Sequence, residues 1–230
     1  MIDIEDLVTK YKNDEDNSYL YYIQRKYNEF MLISDLPVAY RNHNIDVDKL
    51  PGRLKILNDN IFDIVNNRYS YVFNVAKYKD TGNLSSLLLD TYFTQCIKED
   101  HYVEGIVYID TNLILEDYKK LMDLQGGDMQ ISLAHSNETL SRNLENAPFV
   151  IWDKFSLVNS NYDKQKLYNI LLTRARKDLG NMFFIKDATY VLANVFNDEM
   201  YDVMDTEQIV DISQQKLIYK NSNRSGGAKW

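Results

Sequence analysis

The sequence predicts an α/β fold: a parallel five-stranded sheet flanked by helices, with a small N-terminal helical extension. Three observations support this prediction. Five short, nearly all-apolar runs lie between residues 70 and 212, and each is too short to be a helix. Amphipathic segments at helical spacing separate the runs. Buried strands that alternate with helices are typical of parallel sheets, whose ligands bind at the carboxyl ends of the strands.

The composition limits the classes of protein to which the chain can belong. Of its 230 residues, 45% are hydrophobic, which is enough for a real core. The single cysteine, Cys96, excludes an internal disulfide and a cysteine-based zinc cluster, and the three histidines are dispersed. No apolar run approaches the ~18 residues needed to cross a bilayer. We therefore expect a cytoplasmic protein with no metal site and no membrane association.

The net charge of −8 argues against a general nucleic-acid coat protein, because phosphate contacts need a local excess of cations. The C-terminal end, residues 216–230, is the exception, since it carries lysine and arginine but no acid. We expect residues 221–230 to form a flexible basic tail. Both a frayed tail and a local basic patch are consistent with this composition.

The first 33 residues are predicted to form two helices, over residues 2–11 and 17–33, separated by the polar run DEDNS. Aromatic side chains recur at helical spacing in the second helix. Aromatic residues dominate interface energies, so this stripe could bind another protein. Packing against the chain's own larger domain explains the stripe equally well. The candidate partner-binding residues are Tyr19, Tyr22, Tyr27 and Phe30.

The rest of the chain divides into a linker and a larger domain. Residues 34–52 contain two prolines and several Asn and Asp residues, a composition typical of linkers. Residues 53–220 form the α/β domain. Its strands are predicted at 70–76, 105–111, 148–152, 181–187 and 207–212. Helices are predicted at 52–67, 84–99, 113–123, 137–146, 163–180 and 188–196, and the helix over 163–180 is expected to close on Gly180 as its C-cap.

The order of these elements resembles that of the DnaC/DnaI-like bacterial helicase loaders, which are AAA+ ATPases. Short motifs carry the resemblance: LPVAYRNHNID before the first strand, EGIVYIDTNLILEDYKKLMD at the second, NLENAPFVIWDKFSL at the third, NMFFIKD at the fourth and KLIYKNSNR near the C-terminus. The resemblance covers about residues 35–224. It implies a sheet of the AAA+/P-loop type.

The phosphate-binding loop that this resemblance implies is altered. A working loop reads G-x-x-x-x-G-K-[ST]: its glycines let backbone N–H groups surround phosphate, its lysine neutralises charge and its hydroxyl holds magnesium. In VFNVAKYKDTGNLSSLLLD, Gly82 stands for the second glycine and Asn83 replaces the lysine. Ser85 could supply the hydroxyl only if the loop slipped by one residue. The loop positions of interest are Lys77, Lys79, Thr81, Gly82, Asn83 and Ser85.

The acid and sensor positions are altered too. Asp153 occupies the first Walker B acid position, but Lys154 follows where active family members carry the acid that polarises water. A cation cannot act as that base. The fourth strand ends in Lys186 and Asp187 instead of a small polar residue, and residues 188–223 contain no arginine. We therefore expect no catalytic residues.

These changes favour a non-hydrolysing scaffold descended from a helicase loader, a pseudo-ATPase. The resemblance implies that the N-terminal region binds a replicative hexameric helicase or another replication protein. It also implies contact between the α/β module and single-stranded DNA, and self-association. We expect no cofactor. The chain is compact and poor in cysteine, and its composition is typical of an AT-rich coding genome. These features suggest that a phage or mobile element encodes it.

Two alternatives remain open from the sequence. In the first, the chain is an active loader that binds ATP and magnesium through a rearranged loop, with Lys77 or Lys79 replacing the missing lysine. In the second, the chain is a regulator that mimics a loader and inhibits a host helicase. Loader and inhibitor would use the same contact surface, so the sequence does not separate them.

Overall fold

The structure is a computed structural model that describes residues 17–41, 43–111, 143–155, 161–194, 202, 204 and 209–220. The predicted helices over 2–11 and 113–123 and the predicted tail over 221–230 lie outside the described residues. Most of the predicted helix over 137–146 also lies outside them, and residues 143–146 are helical. Nothing in the described part of the chain is a helix long and apolar enough to cross a membrane.

The five apolar runs form one five-stranded sheet, as predicted. In chain order the strands are β1 (Tyr71–Val75), β2 (Ile106–Asp110), β3 (Phe149–Asp153), β4 (Gly180–Lys186) and β5 (Ile209–Asp211). Their spatial order is β2-β3-β4-β1-β5. Every neighbouring pair is parallel. The parallel five-stranded sheet predicted from the sequence is therefore confirmed, and β1 lies between β4 and β5.

Helices flank the sheet. They are α1 (Asn17–Ile33), α2 (Gly52–Asp59), α3 (Ile61–Asn66), α4 (Thr81–Lys98), α5 (Asn161–Arg176) and α6 (Ala188–Asn194). The prediction of one helix over 52–67 is wrong, because Asn60 leaves helical geometry (φ −104°, ψ 4°) and divides it. Helix α4 begins at Thr81, three residues before the predicted start, after a 3₁₀ turn over Tyr78–Asp80.

Gly180 does not cap the preceding helix, contrary to the prediction. Helix α5 ends at Arg176, and Asp178 takes the positive φ of 54° that turns the chain. Gly180 is the first residue of β4, where a Cβ would lie 2.5 Å from the Phe149 ring. The glycine is needed for close approach between β3 and β4.

The two faces of the sheet are covered by different helices. Phe73 and Phe184 point into a core that includes residues of α1, α2, α3 and α4. Val72 and Phe183, their neighbours in the strands, point into a second core that includes residues of α5 and α6. Alternate strand residues thus enter opposite cores, which explains why the strands read as continuous apolar runs.

The segment predicted as a linker, residues 34–52, packs on the module in its described part. Leu36 and Ile45 are buried. The backbone N–H of Tyr108 in β2 donates to the carbonyl of Ser34 at 2.7 Å. Ile45 forms an antiparallel bridge with Tyr219. The segment is therefore held between the edge strand β2 and the chain that follows β5, across the carboxyl edge of the sheet.

Candidate functional site

The loop after β1 leads directly into α4. Two hydroxyl groups at this junction already form hydrogen bonds with backbone carbonyls. The Thr81 hydroxyl donates to the Tyr78 carbonyl at 2.8 Å, and the Ser85 hydroxyl donates to the Thr81 carbonyl at 2.9 Å. Both residues are buried. Ser85 bonds one turn back along its own helix, a common arrangement for serine within helices. The geometry therefore does not favour Ser85 as a substitute magnesium ligand.

An aromatic ring covers Gly82. A Cβ at this position would lie 2.6 Å from carbon atoms of the Tyr40 ring. Tyr40 comes from the segment before the module, and its ring also stands edge-on to Tyr108 of β2, with centroids 6.5 Å apart. At the position that the sequence resemblance assigns to phosphate, the glycine accommodates a ring of the chain itself.

Asp153, at the end of β3, is fully buried. The Tyr108 hydroxyl donates to its Oδ2 at 2.6 Å, and the Lys154 backbone N–H donates to its Oδ1 at 2.8 Å. Burial raises the pKa of this carboxyl, and the nearby Thr81 hydroxyl and the hydrogen bonds from Tyr108 and Lys154 oppose that rise. A carboxyl enclosed in this way has no open side for a hydrated magnesium ion.

The ammonium group of Lys154 is engaged by a neighbouring carboxylate. The Nζ atom pairs with Oδ2 of Asp110, at the end of β2, at 2.5 Å. The hydrogen bond and charge of Asp110 raise the pKa of this lysine. Its backbone takes a positive φ of 50° at the strand end. The cation thus joins the ends of two neighbouring strands.

A second tyrosine closes the site on the side of β4. The Tyr78 hydroxyl accepts a hydrogen bond from the backbone N–H of Lys186 at 2.8 Å, and burial raises its pKa to about 12. The side chains of Lys186 and Asp187 are exposed. Neither of these predicted sensor-position residues turns inward; Tyr78 instead connects the loop to the end of β4.

Asn74 is a structural residue that sequence reasoning missed. Its Oδ1 accepts a hydrogen bond from the Ala188 backbone N–H at 2.9 Å, and its Nδ2 donates to Oδ1 of Asp211 at 3.1 Å. It thereby connects β1 to β5 and to the start of α6. The available signal was a single amide within the apolar run YVFNVA, since a polar side chain in a central strand needs partners.

The two loop lysines lie apart from Asp153. Lys77 and Lys79 line a cleft of about 370 Å³ on the side of the loop that faces α2 and residues 212–217, and neither Asp153 nor Lys154 lines it. Asn83 donates to the Tyr219 hydroxyl at 3.2 Å. The predicted loop positions are therefore divided between a closed site beneath Tyr40 and an open cleft beside it. In the described residues, no group of three acidic, histidine or cysteine side chains could hold a metal ion.

Comparison with known proteins identifies the fold. No protein-family model matches the sequence, and no curated protein matches it significantly. Three solved structures resemble it over most of their length. The DnaC helicase loader matches at 15% identity, covering 77% of this chain and 100% of the other, with a TM-score of 0.53. The chain shares the fold of this structure.

Two further structures agree with this assignment. DnaI matches at 10% identity with a TM-score of 0.52, covering 78% of this chain and 92% of the other. A protein from Streptococcus pyogenes serotype M3, assigned as a primosome component, matches at 15% identity with the same TM-score of 0.52, covering 80% and 96%. At such identities the likeness is one of fold. What they share with this chain is therefore the architecture of a parallel sheet flanked by helices.

The aromatic stripe of α1 divides into buried and exposed members. Tyr27 and Phe30 retain only 9% and 4% of their exposure, and the Tyr27 hydroxyl donates to Asp90 at 2.7 Å. Both belong to the chain's own core, so they are not surface anchors here. Tyr22 is 53% exposed, and the ammonium group of Lys26 lies 5.7 Å from the centroid of its ring. The side chain of Tyr19 lies outside the described residues.

Two other side chains, Cys96 and Arg174, are buried within the fold. Cys96 is fully buried, and burial raises the pKa of its thiol to about 11, which disfavours the nucleophilic thiolate. Arg174 is also fully buried, and desolvation lowers its pKa. Its guanidinium donates to Oδ1 of Asn181 at 2.7 Å and to the carbonyls of Leu144, Ala147 and Gly180.

Proposed function

We propose that the chain is a DNA-replication accessory protein of the helicase-loader type, which binds a replicative helicase without hydrolysing ATP. The observation that carries the proposal is the Tyr40 ring against Gly82. The fold supports the loader-like role in DNA replication, and the contents of the site support a scaffold in place of an ATPase.

The chemistry of phosphoryl transfer explains why hydrolysis is not expected. Catalysis depends on positioning the phosphates, neutralising developing charge and orienting the attacking water. In this chain Asn83 stands at the lysine position and Lys154 pairs with Asp110 at the position of the water-polarising acid. Asp153 is buried beneath Tyr108. For each of these three functions, the side chain that would perform it is therefore missing or engaged elsewhere.

Helix α1 is the proposed contact with the helicase. One face of α1 is anchored through Tyr27 and Phe30, which leaves Tyr21 and Tyr22 exposed at 69% and 53%. Exposed tyrosines are well suited to interfaces, because a large apolar ring is combined with a polar tip. We also propose contact with single-stranded DNA and self-association, which the loader-like fold makes reasonable.

The proposal is tested by two measurements on the purified full-length chain. Its rate of ATP hydrolysis should equal that of the Asp153→Ala variant, because Asp153 has no catalytic role. Co-purification with the replicative helicase of its host should yield a stable complex. ATP turnover that Asp153→Ala abolishes would contradict the pseudo-ATPase assignment. Failure to bind that helicase would contradict the loader role.

The sign of the effect on the helicase needs a separate assay, because a loader and an inhibitor share a contact surface. Strand unwinding by the helicase, measured with and without this chain, distinguishes them. Faster loading onto a closed single-stranded circle supports a loader. Slower unwinding supports the alternative of a loader-mimicking inhibitor.

A further inference from the structure

A polar cavity lies between α2, α4 and the segment that precedes α2. Its volume is about 500 Å³, which is within the range of small-ligand sites. It shares no lining residue with the cleft beside the loop after β1. One face of α4 supplies a wall of this space, through Thr91, Thr94, Gln95 and Lys98 at helical spacing. We call it the α2–α4 cavity.

The α2 wall of the cavity presents a buried amide whose nitrogen is unused. Asn58 is only 4% exposed, and its Oδ1 accepts a hydrogen bond from the Thr91 hydroxyl at 2.7 Å. Within the described part of the chain, its Nδ2 atom has no hydrogen-bond partner. This atom is not sealed from solvent, so it opens on the cavity that Asn58 lines. Polar groups buried this deeply are nearly always paired, so the Asn58 amide requires an acceptor that enters the cavity.

A buried imidazole and carboxylate also line the cavity. The Asp90 carboxylate accepts a hydrogen bond from the Tyr27 hydroxyl at 2.7 Å and lies 3.3 Å from Nε2 of His43. The Nδ1 atom of His43 accepts a hydrogen bond from the Ile45 backbone N–H at 3.1 Å. Both imidazole nitrogens and both carboxylate oxygens are therefore engaged. This pair is not placed to exchange a proton with a ligand, so we expect binding without chemical change.

The charges around the cavity balance. Asp59 and Asp90 are the acids in its described lining, and Lys98 and Lys220 are the bases. An anion or a cation therefore gains no net attraction from the lining. The other side chains that line the cavity are polar and uncharged or aliphatic, and the aliphatic ones are Ile45, Val47 and Leu87.

The same lining indicates which neutral ligand fits. None of the described residues that line the cavity carries an aromatic ring other than the engaged imidazole of His43, whereas nucleobases bind by stacking on such rings. The unpaired Asn58 nitrogen calls for a carbonyl oxygen, and the aliphatic side chains accommodate alkyl groups. A carboxamide with a short alkyl substituent combines these properties.

We propose that the α2–α4 cavity binds a carboxamide group, whose carbonyl oxygen accepts a hydrogen bond from Nδ2 of Asn58. The Gln95 amide and the Thr94 hydroxyl each offer both a donor and an acceptor to the same group. Neither side chain is hydrogen-bonded within the described residues. A small amide and the main chain of a peptide both present this chemistry. The proposal rests on the cavity alone and is independent of the role in DNA replication.

The first measurement is an NMR titration of the isotope-labelled full-length chain with N-acetylalanine methylamide, a single blocked residue. The signals of the Asn58 and Gln95 side-chain amides should shift and saturate. Asn58→Asp keeps the acceptor for the Thr91 hydroxyl but replaces the donor that faces the ligand. It should weaken binding by about tenfold or more, the loss expected for one hydrogen bond in a buried site. Gln95→Met, at a half-buried position, should weaken binding by about threefold.

A second probe distinguishes the source of the amide. N-acetyl-tetraalanine amide presents the same group repeatedly along an extended chain. Binding at least about tenfold tighter than that of the single blocked residue assigns the cavity to the main chain of a peptide. Equal or weaker binding assigns it to a small amide. Either result supports the proposal, provided that Asn58→Asp weakens the binding.

Matched controls separate the cavity from general effects of the replacements. Asn169→Asp and Gln165→Met make the same changes at exposed positions of α5, on the opposite face of the sheet, and should bind both amides as the wild type does. Circular dichroism and thermal unfolding establish that all four variants fold. Helicase binding by these variants should be unchanged, and it reports separately on the proposed function.

Three results would overturn the proposal. The first is the absence of any shift with either amide at millimolar concentration. The second is equal weakening in the cavity variants and their matched controls. The third is binding of methyl glucoside or acetate as tight as that of the amides, because the cavity would then not select a carboxamide.

Discussion

At the scale of single residues, Asp153 is a carboxyl that the chain encloses completely. Burial raises its pKa in the folded chain above the unfolded value. The folded state therefore holds the proton more tightly than the unfolded state does. The stability that this proton confers is fully present below the unfolded pKa, near 4, and is lost as the pH rises through the raised folded pKa.

The variant Asp153→Asn should remove this pH dependence. Its amide oxygen can still accept one of the hydrogen bonds that Tyr108 and Lys154 donate to the carboxyl. We expect the free energy of unfolding of the wild type to fall relative to that of the variant as the pH rises from about 4. Urea unfolding of both proteins between pH 4 and pH 8 measures this difference. A difference that is constant over that range would contradict the assignment.

Arg174 shows how a charge can be buried without an acid. Its guanidinium supplies donors to three carbonyls and to Asn181 between α5, β4 and the chain before β3. Arg174→Lys leaves several of these buried acceptors without donors and should reduce the free energy of unfolding by roughly 3 kcal/mol. Arg176→Lys, two residues further along the same helix and exposed, is the matched control. It should change stability by less than about 0.5 kcal/mol.

At the scale of elements, Tyr40 from the chain before α2 can contact the start of α4 only because Gly82 has no side chain. Gly82→Ala places a Cβ 2.6 Å from the Tyr40 ring and should destabilise the fold by about 1–3 kcal/mol, despite the better helix propensity of alanine. In a Tyr40→Ala background the same change should be neutral or stabilising. A double-mutant cycle by chemical unfolding measures the coupling, which we expect to exceed about 1 kcal/mol.

Gly52 provides the control for this cycle. It is the first residue of α2, and nothing lies within 4 Å of the position that its Cβ would take. Gly52→Ala should therefore show no coupling to Tyr40→Ala. If Gly82→Ala also shows none, the Tyr40 ring does not occupy the loop in solution.

The elements differ in how far the sequence reveals them. All five strands were predicted at their places in the chain, because apolar runs bounded by polar residues are a local signal. The strand order was not, since β1 pairs with β4 across more than 100 residues and no local pattern encodes that choice. The start of α4 was placed late because Asp80, Thr81 and Gly82 read as a turn, whereas tertiary packing buries Thr81 and Gly82 in the helix.

The sequence predicted the position of the candidate site but not the side chains that cover it. The sequence placed Gly82 and Asp153 at the same edge of the sheet, and its resemblance to helicase loaders implied that the catalytic side chains are replaced. It did not reveal that Tyr40, remote along the chain, covers Gly82. Tyr108 could have been suspected, because a tyrosine in a buried strand needs a partner for its hydroxyl, and Asp153 is that partner.

At the scale of the whole molecule, binding to a helicase should not depend on nucleotide. Under the proposed function, the position at which the sequence resemblance places nucleotide is closed by Tyr40 and Tyr78. We expect the dissociation constant of the complex with the helicase to be the same without nucleotide, with ADP and with ATP, when the nucleotide effect on the helicase alone is subtracted. Surface plasmon resonance with immobilised chain measures all three conditions. A change above about threefold would contradict the closed site.

The proposed helicase contact on α1 can be separated from the stability of the fold by a pair of variants. Tyr22→Ala removes an exposed ring and should weaken binding to the helicase by about tenfold or more without lowering the melting temperature. Tyr27→Phe removes the hydroxyl that donates to Asp90 and should lower stability by about 1 kcal/mol without changing binding. The reverse pattern would place the contact elsewhere.

The tyrosine that covers Gly82 has a consequence for timing. Because the ring belongs to the same chain, it competes with any ligand for the position over Gly82. It cannot be diluted away or consumed. If the chain does not hydrolyse ATP, as proposed, it has no irreversible chemical step with which to order its actions. Its encounters with a partner would then be governed by mass action alone, and its release would follow from abundance or from displacement by another protein. Such a protein would behave in the same way in a starved cell as in a growing one.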